Sequence, residues 1–321
     1  MNDLVLGLDV GGTSSRAVVT TAGGEIVGRG VAGGGNPLAV PPELAAAEVA
    51  RALRGALAGT DPALVGAAVL GLAGVSGFDD RDTAAAFQRA WDAAGLRCPM
   101  RAVGDAQVAF ASGTDEPLGT VLIAGTGAAA ARIDGDRITR VGDGLGWLLG
   151  DRGSGFWIGR RAAADTAARL QSGHPSAVLT GLVARAVHGA ADATADAFAA
   201  AVHRRPPRTL DRLAPLVTEA ALAGDGHAAA ILDEAAGHLA AAVASVREPG
   251  ETDPIVLSGS VLRHCGPVRE GVRARLAEAW PGAAVTEAGP AELGAARLAA
   301  QSLARSPPPP EAPPGRAHSP G

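Results

Sequence analysis

Residues 4–21 have the sequence LVLGLDVGGTSSRAVVTT, and this stretch decides the fold. The apolar run Leu4–Asp9 predicts a buried strand, and Ser15–Thr20 predicts a second strand soon after it. The turn Gly11-Gly12-Thr13 separates the two strands, as expected for a β-hairpin. These residues therefore predict a strand, a glycine turn and a second strand.

The same arrangement occurs a second time, from Thr120 to Asp134. There two predicted strands, Thr120–Ala124 and Ala128–Asp134, flank the turn Gly125-Thr126-Gly127. In both places one more predicted strand follows, and mixed helical and strand sequence comes after it. Duplicated halves of this kind face each other across a cleft, where ligands bind. The sequence thus predicts an α/β protein with two similar domains.

The length and composition fit two domains of ordinary size, since 47% of the 321 residues are hydrophobic. We expect an N-terminal domain at residues 1–117 and a C-terminal domain at residues 118–304. Proline is abundant in residues 305–321, so this tail cannot build a core and is expected to be disordered.

Composition excludes several classes of protein. The formal net charge is −5 and no basic block is present, so no nucleic-acid partner is expected. The sequence contains no Lys, which excludes kinases with the G-x-x-x-x-G-K-[ST] phosphate loop. The longest apolar stretch, 121–133, falls short of the roughly 20 residues that a membrane-spanning helix needs, so no membrane association is expected. Two cysteines, Cys98 and Cys265, favour a reducing, cytoplasmic location over a disulfide framework.

Both glycine turns are suited to binding phosphate. Glycine lets the backbone approach a phosphate group closely, and successive backbone N–H groups form an anion-binding nest. Thr13 and Thr126 add hydroxyl donors to the two turns. Asp9 at the end of the first strand is placed to hold Mg²⁺, through water because Mg²⁺ keeps several of its own waters. Either turn alone is equally consistent with an ordinary hairpin, but the duplicated pair favours phosphate.

An aspartate also stands where a later predicted strand ends. Asp105 follows Gly104 and precedes a predicted helix that begins at Ala106. The simplest hypothesis is that its side chain caps this helix. The functional alternative is a general base that accepts a proton from a sugar hydroxyl, because phosphoryl transfer requires mainly positioning and charge neutralisation.

Three further stretches are candidates for ligand contacts. The glycine-rich segment 144–155 is a long loop, and long ordered loops are usually functional. Asp151 within it could accept hydrogen bonds from sugar hydroxyls, and Ser154 is expected to cap the helix that follows. Asn36 offers a donor and an acceptor for sugar hydroxyls, although Asn-Pro is also a common turn. Gly259-Ser260 follows a predicted strand and would let a nucleoside lie against the backbone, or is an ordinary turn.

In order and spacing these motifs resemble the BadF/BadG/BcrA/BcrD ATPase family, and within it the N-acetylglucosamine kinase branch. The resemblance covers roughly residues 4–304, and the ordered set is specific although no single motif is. The motifs are Asp9–Thr13, Asn36-Pro37, Gly104-Asp105-Ala106, Gly125-Thr126-Gly127, Gly150-Asp151-x-Gly153-Ser154 and Gly259-Ser260.

The resemblance implies a two-domain actin-like (ribonuclease-H-like) fold and a homodimeric kinase that transfers the γ-phosphoryl group of ATP, with Mg²⁺, to the 6-hydroxyl of an amino sugar such as N-acetylglucosamine. Asp105 would be the catalytic base. The implied ATP contacts are Gly11, Gly12, Thr13, Thr126, Gly259 and Ser260. The implied sugar contacts are Asn36, Asp105, Gly127, Ala128, Gly144, Leu145, Gly146 and Asp151.

Two residues depart from the pattern of the family. Arg152 stands where many relatives carry Glu, and Leu145 stands where better-known sugar kinases carry Trp. Both positions lie where the substituent at carbon 2 of the sugar would be recognised. The preference for an N-acetyl group is therefore open, and glucosamine, N-acetylmuramic acid and glucose remain alternatives.

Three alternative functions are each disfavoured by a feature of the sequence. An activator ATPase of a radical dehydratase would need two neighbouring cysteines for an iron–sulfur cluster, which Cys98 and Cys265 are not. A hexokinase of the ROK type usually has a cysteine-rich zinc motif, which this sequence lacks. A non-catalytic sugar sensor would be expected to have lost a carboxylate, whereas Asp9, Asp105 and Asp151 are all present. The sequence favours an enzyme.

Overall fold

The computed structural model describes residues 4–72, 75, 78, 80–173 and 177–305. The tail that the sequence predicts to be disordered lies outside these residues, apart from residue 305.

The first half forms one five-stranded sheet in the order β3-β2-β1-β4-β5. Strand β2 runs antiparallel to both β1 and β3, whereas β1, β4 and β5 are parallel to one another. The strands are β1 Leu4–Val10, β2 Ser14–Thr21, β3 Ile26–Gly33, β4 Val65–Leu72 and β5 Met100–Gly104.

The second half repeats this sheet with the same connectivity. Its order is β8-β7-β6-β9-β10, with β6 antiparallel to β7 and parallel to β9, just as β1 is to β2 and β4. The strands are β6 Leu118–Ala124, β7 Ala128–Asp134, β8 Arg137–Asp143, β9 Ile255–Ser258 and β10 Val285–Glu287. The predicted duplication within an α/β fold is confirmed.

Helices cover the sheets and form most of the second half. The segment from Pro207 to Leu222 forms a 3₁₀ helix followed by α7, and Pro215 in the first turn of α7 cannot donate a backbone hydrogen bond. The α-helices are α1 Pro42–Ala56, α2 Arg81–Ala93, α3 Asp105–Gly113, α4 Gly155–Ser172, α5 Val178–His188, α6 Ala195–His203, α7 Ala214–Leu222, α8 Gly226–Ala244, α9 Ser260–His264, α10 Gly266–Ala279 and α11 Ala291–Arg305, with 3₁₀ helices at Pro62–Leu64 and Pro207–Leu213.

Helix α11 returns to the first sheet, although it follows the second sheet in sequence. Its residues Ala295 and Leu298 share an apolar cluster with Val5 and Val69 of that sheet. At Gly7 of β1 a Cβ atom would lie 2.3 Å from the backbone nitrogen of Ala296, so only glycine allows this contact. The domain division between residues 117 and 118 stays a proposal, and this packing shows that the first sheet needs a helix from beyond it.

Helix α3 connects the two halves. Its residue Phe110 packs in an apolar cluster with Val121 and Val256 of the second sheet, while Val108 belongs to the cluster of the first sheet. The start of α3 is therefore held where the two halves meet. Among the described residues, none of the helices has both the length and the apolar character required to cross a bilayer.

Candidate active site

The glycine turn of the first half is held by the segment after β3. The backbone N–H of Gly11 donates to Ser14 at 3.0 Å, and that of Gly35 donates to the carbonyl of Gly11 at 3.1 Å. At Gly34 a Cβ atom would lie 2.1 Å from the carbonyl oxygen of Gly12. This packing brings Asn36 close to the turn. The Oδ1 atom of Asn36 accepts a hydrogen bond from the backbone of Leu38 at 2.9 Å, which leaves the amide nitrogen for a ligand.

Asp9 is a partly buried carboxylate beside this turn. Its side chain is 24% exposed, and Oδ2 lies 3.7 Å from the guanidinium of Arg16. Burial raises the pKa of Asp9 to about 6; Arg16 opposes the rise, and the negative charges of Glu292 and Asp105 add to it. The ionised form of Asp9 is thus short of positive partners, which is the condition that a cation would relieve.

Asp105 is the first residue of α3 and does not cap it. The N-cap is Gly104, whose backbone N–H donates to Oε1 of Gln107 at 2.8 Å, and Oδ1 of Asp105 accepts only from the next residue, Ala106, at 2.9 Å. The Asp105 side chain opens to solvent in the cleft, yet protein around it displaces enough water to raise its pKa above the ordinary value. Asp9 and Asp105 lie together because β1 and β5 are parallel and both end at this edge.

The glycine turn of the second half is joined to the start of α4. The backbone N–H of Gly155 donates to Gly125 at 2.8 Å, and that of Phe156 donates to Thr126 at 3.3 Å. Ser154 caps α4, as predicted, because its hydroxyl accepts from the backbone of Trp157 at 3.1 Å. The turn and the N-terminus of α4 therefore form one rigid unit.

Asp151 fills the space that Gly127 leaves. Its Oδ1 atom accepts from the backbone of Ala128 at 3.3 Å, and a Cβ atom at Gly127 would lie 2.9 Å from Oδ2. The side chain is buried, and burial raises its pKa above the ordinary value. Asp151 also has a positive φ of 55°, an unfavourable conformation for a residue with a side chain. Such strain is found mainly at functional sites.

Asp143, which sequence analysis did not single out, holds this strained residue in place. Its two carboxylate oxygens accept from the backbone nitrogens of Asp151 at 2.7 Å and Arg152 at 2.9 Å. Asp143 itself has a positive φ of 61°. Its role could not be read from the sequence, because no local pattern marks a carboxylate that binds backbone eight residues away.

The rest of the predicted sugar loop divides into two parts. Gly144 joins the site, since its backbone N–H donates to Ala128 at 3.1 Å. Leu145 points outward and is 67% exposed, and Gly146 supports the loop by accepting from Gly150 at 2.7 Å. The structure therefore brings Gly127, Ala128, Gly144 and Asp151 together, with Leu145 at the rim.

A cavity of about 270 Å³ opens beside the second glycine turn. Gly259 lies behind it with a φ of 101°, where a Cβ atom would come within 2.2 Å of the Ala124 carbonyl oxygen, so glycine is required. Ser260, the first residue of α9, lines the cavity together with the turn itself. The remaining lining residues were not predicted as site residues: Gly155, Ile158, Asp211, Ala214, Pro215, Thr218, Val261, His264 and Cys265.

His264 is an exposed residue at the end of α9, four residues after Ser260, and it also lines this cavity. Asp211 is joined to the turn directly, because the hydroxyl of Thr126 donates to its Oδ2 atom at 3.2 Å. Asp211 arrives on a short helix from a distant part of the sequence, so no motif could have marked it. In the described part of the chain, no cluster of three or more His, Cys, Asp or Glu side chains has the arrangement of a protein-only metal site.

The two halves thus supply different chemistry. The first offers two carboxylates with raised pKa values beside a glycine turn, and the second offers a largely apolar cavity beside its own glycine turn. An apolar cavity next to backbone donors suits a nucleotide, and a carboxylate that opens to the cleft can accept a proton.

The chain is similar to known proteins over most of its length. The profile of the BadF/BadG/BcrA/BcrD ATPase family matches residues 6–296. The N-acetyl-D-glucosamine kinase of Dictyostelium discoideum is 26% identical over 319 residues, which cover 94% of this chain and 98% of that protein.

Solved structures are similar over nearly the whole chain. A candidate N-acetylglucosamine kinase from Chromobacterium violaceum is 25% identical, with a TM-score of 0.72 over 92% of this chain and 98% of that chain. A ROK family glucokinase from Streptomyces griseus, solved with glucose and AMPPNP, is 21% identical, with a TM-score of 0.56 over 93% of this chain and 99% of that one. At this identity the second likeness bears on the fold alone.

Proposed function

The chain belongs to the BadF/BadG/BcrA/BcrD ATPase family and is a sugar kinase, and we propose that it transfers the γ-phosphoryl group of ATP to the 6-hydroxyl of N-acetylglucosamine. The observation that carries the proposal is the placement of Asp105 at the junction of the two halves, with its carboxylate open to the cleft. The likeness to N-acetylglucosamine kinases supports the choice of sugar.

Asp105 is the general base in this proposal. Its carboxylate accepts the proton of the 6-hydroxyl as that oxygen bonds to the γ-phosphorus and the bond from phosphorus to the bridging oxygen of ADP breaks. The raised pKa of Asp105 suits this role, because a base with a pKa closer to neutral takes up a proton more favourably. Since Asp105 is not occupied as a helix cap, its second oxygen is available to the sugar.

Asp9 would hold Mg²⁺ through water. The fit is supported by the raised pKa of this carboxylate, which lacks sufficient positive charge around it. Mg²⁺ would neutralise charge that develops on the phosphate oxygens. Arg16, at 3.7 Å, compensates part of the Asp9 charge.

The ATP contacts follow the two halves. Gly12 and Thr13 and, across the cleft, Thr126 would donate to phosphate oxygens, because glycine turns expose backbone N–H groups. Gly11, whose own N–H donates to Ser14, would let the phosphate approach the turn closely because it has no side chain. The nucleoside would occupy the cavity, with Ser260 at one wall and Gly259 behind it. The apolar character of the cavity is that found for such ligands.

The sugar would lie between Asp105 and Asp151. Asp151 would accept from sugar hydroxyls, and the backbone of Gly127, Ala128 and Gly144 would line the pocket, with Leu145 and Gly146 at its rim. Asn36 would contribute its amide nitrogen from the first half. We further propose a cytoplasmic homodimer.

The activator ATPase is a weaker alternative because of the positions of the cysteines. Cys98 and Cys265 are both buried, one in the core of each half. They are therefore not placed to share a cluster across a dimer. A non-catalytic sugar sensor would bind the same sugar without turnover.

The test is an assay of ADP release with ATP and Mg²⁺ against a panel containing N-acetylglucosamine, glucosamine, N-acetylmuramic acid and glucose. We expect turnover with N-acetylglucosamine and formation of its 6-phosphate. Turnover with another sugar would keep the kinase and overturn the substrate. Binding of sugar without turnover would favour the sensor.

A further inference from the structure

One carboxylate inside the cavity has no part in the mechanism so far. Asp211 is the single acidic residue among the described residues that line the cavity, whose floor is formed by apolar groups such as Ile158 and Val261. A carboxylate next to a phosphate site repels the phosphate, so its presence calls for a different partner.

The position of Asp211 is fixed by the backbone around it. It lies on the 3₁₀ helix Pro207–Leu213, which packs so closely on α4 that a Cβ atom at Gly159 would lie 1.8 Å from the Leu210 carbonyl oxygen. Leu213 on the same short helix is buried. Asp211 is thus held by a rigid support rather than by a loose loop.

Asp211 stands between the two ends of the cavity. Its Oδ2 atom is 3.2 Å from the hydroxyl of Thr126 in the turn, whereas Ala214 and Pro215, which follow it in sequence, line the apolar part. In a nucleotide that places its phosphates at the turn and its base against the apolar walls, the ribose lies between them. A carboxylate accepts two hydrogen bonds, and the 2′- and 3′-hydroxyls of ribose are two adjacent donors.

We propose that Asp211 binds the ribose hydroxyls of the nucleotide and makes the enzyme select ribonucleotides over deoxyribonucleotides. This assignment rests on the proposed binding of ATP in the cavity, and it goes beyond that proposal by naming the residue that recognises the ribose of the nucleotide. The Thr126 hydroxyl donates to the Asp211 carboxylate. When ATP binds, ribose takes over the carboxylate and Thr126 is released to donate to phosphate.

The test compares affinities for ADP, 2′-deoxy-ADP and 3′-deoxy-ADP, each with Mg²⁺, by isothermal titration calorimetry without any sugar. Because hydrogen bonds to a charged group contribute about 1.5–3 kcal/mol, we expect the wild-type protein to prefer ADP over at least one deoxy analogue by about tenfold or more. The Asp211→Ala variant should lose most of this preference. The ratio of affinities is the readout, so a general change in phosphate binding through Thr126 cancels.

Two further variants are needed, one as a control and one that preserves the shape of the Asp211 side chain. Asp192→Ala removes an exposed aspartate that does not line the cavity and should keep the wild-type ratio. Asp211→Asn preserves the shape of the side chain, so a reduced ratio in this variant would support the proposal even if Asp211→Ala failed to fold.

The possible failures are distinguishable. Tight binding of ADP with equal affinities for all three nucleotides, or a ratio that Asp211→Ala leaves unchanged, would overturn the role of Asp211 alone. A complete absence of ADP binding would overturn the nucleotide site of the proposed function, and the role of Asp211 with it. Sugar phosphorylation does not enter this experiment, so a wrong sugar would leave the result intact.

Discussion

The two glycine turns occupy equivalent places in equivalent sheets, yet they differ in charge. In the first, Asp9 lies two residues before Gly11; in the second, Ile123 lies two residues before Gly125. Val10 and Ala124 are the last residues of β1 and β6, and the turns that join them to Ser15 and Ala128 contain four and three residues. One turn thus carries its own carboxylate and the other carries none.

The second turn receives its acidic neighbours from elsewhere in the chain. Asp151 reaches it from the loop before α4, and Asp211 reaches it from a 3₁₀ helix. The duplicated scaffold therefore provides backbone donors twice, while the acidic side chains that surround them differ. Under the proposed function, this asymmetry would place the metal and the base in the first half and the nucleoside in the second.

The strongest test of this division is removal of the base from the first half. In Asp105→Asn we expect kcat to fall by about 10²- to 10⁴-fold, because the 6-hydroxyl loses its proton acceptor. Affinity for ADP, measured by calorimetry, should stay near the wild-type value because the cavity belongs to the second half. Near-normal turnover would show that Asp105 is not the base.

Asp9→Asn should separate activity from stability. Turnover should fall, and the variant should require more Mg²⁺. The free energy of unfolding without ligands at pH 7.5 should rise by on the order of 2 kcal/mol, because a carboxylate with a raised pKa is costly to bury in its ionised form. The native state of the wild type holds its proton at higher pH than the unfolded chain. The advantage of the variant should therefore shrink as pH falls below about 6.

Chemical denaturation at several pH values measures this difference. Asp82→Asn on the exposed side of α2 is a suitable control, since Asp82 is exposed and away from the cleft. A constant difference between wild type and Asp9→Asn over the whole pH range would contradict the assigned cause.

The pH dependence of kcat/KM should show the raised pKa of Asp105. Burial raises this pKa, so the base becomes protonated, and activity is lost, at a higher pH than the value of about 4 typical of an exposed carboxylate. On the acid side kcat/KM should fall about tenfold per pH unit for a single proton. An acid limb at the ordinary carboxylate value would argue against a shielded base.

The smallest expected effects compare the turns directly. Gly12→Ala meets no atom within 4 Å, and Gly125→Ala meets only Ser260, at 3.7 Å, so both variants should fold as the wild type does. If each turn cradles phosphate, each added methyl should raise the KM for ATP about three- to tenfold, the equivalent of one hydrogen bond. Gly181→Ala in α5, also without close neighbours, is the control. A rise for only one turn would assign the phosphates to that half.

Much of the fold could be predicted because its signals are local. The strand–turn–strand patterns at Leu4–Thr21 and Leu118–Asp134 consist of apolar runs and glycine turns within a few residues. From these patterns the duplicated halves follow, whereas the meeting of Asp9 and Asp105 at one sheet edge depends on the parallel pairing of β1, β4 and β5. The capping role of Ser154 was equally local.

The unpredicted parts depend on contacts between distant segments. The packing of α11 on β1 and the arrival of Asp211 at the cavity are properties of the assembled chain. Asp143 could not be identified from the sequence, because it acts by accepting a hydrogen bond from the backbone of Asp151. The positive φ values of these two residues correspond to no local sequence pattern. Candidate ligands on motifs could be found from the sequence, whereas the residues that support them could not.

The return of α11 to the first sheet has a consequence for synthesis of the protein. Until the ribosome has released residues 291–305, the face of the first sheet that carries Val5, Val18 and Val69 lacks one of the two helices that cover it. The half that is translated first therefore completes its core last. A nascent chain halted after the second sheet would present this apolar face to chaperones. The fold is complete only when α11 packs on the first sheet.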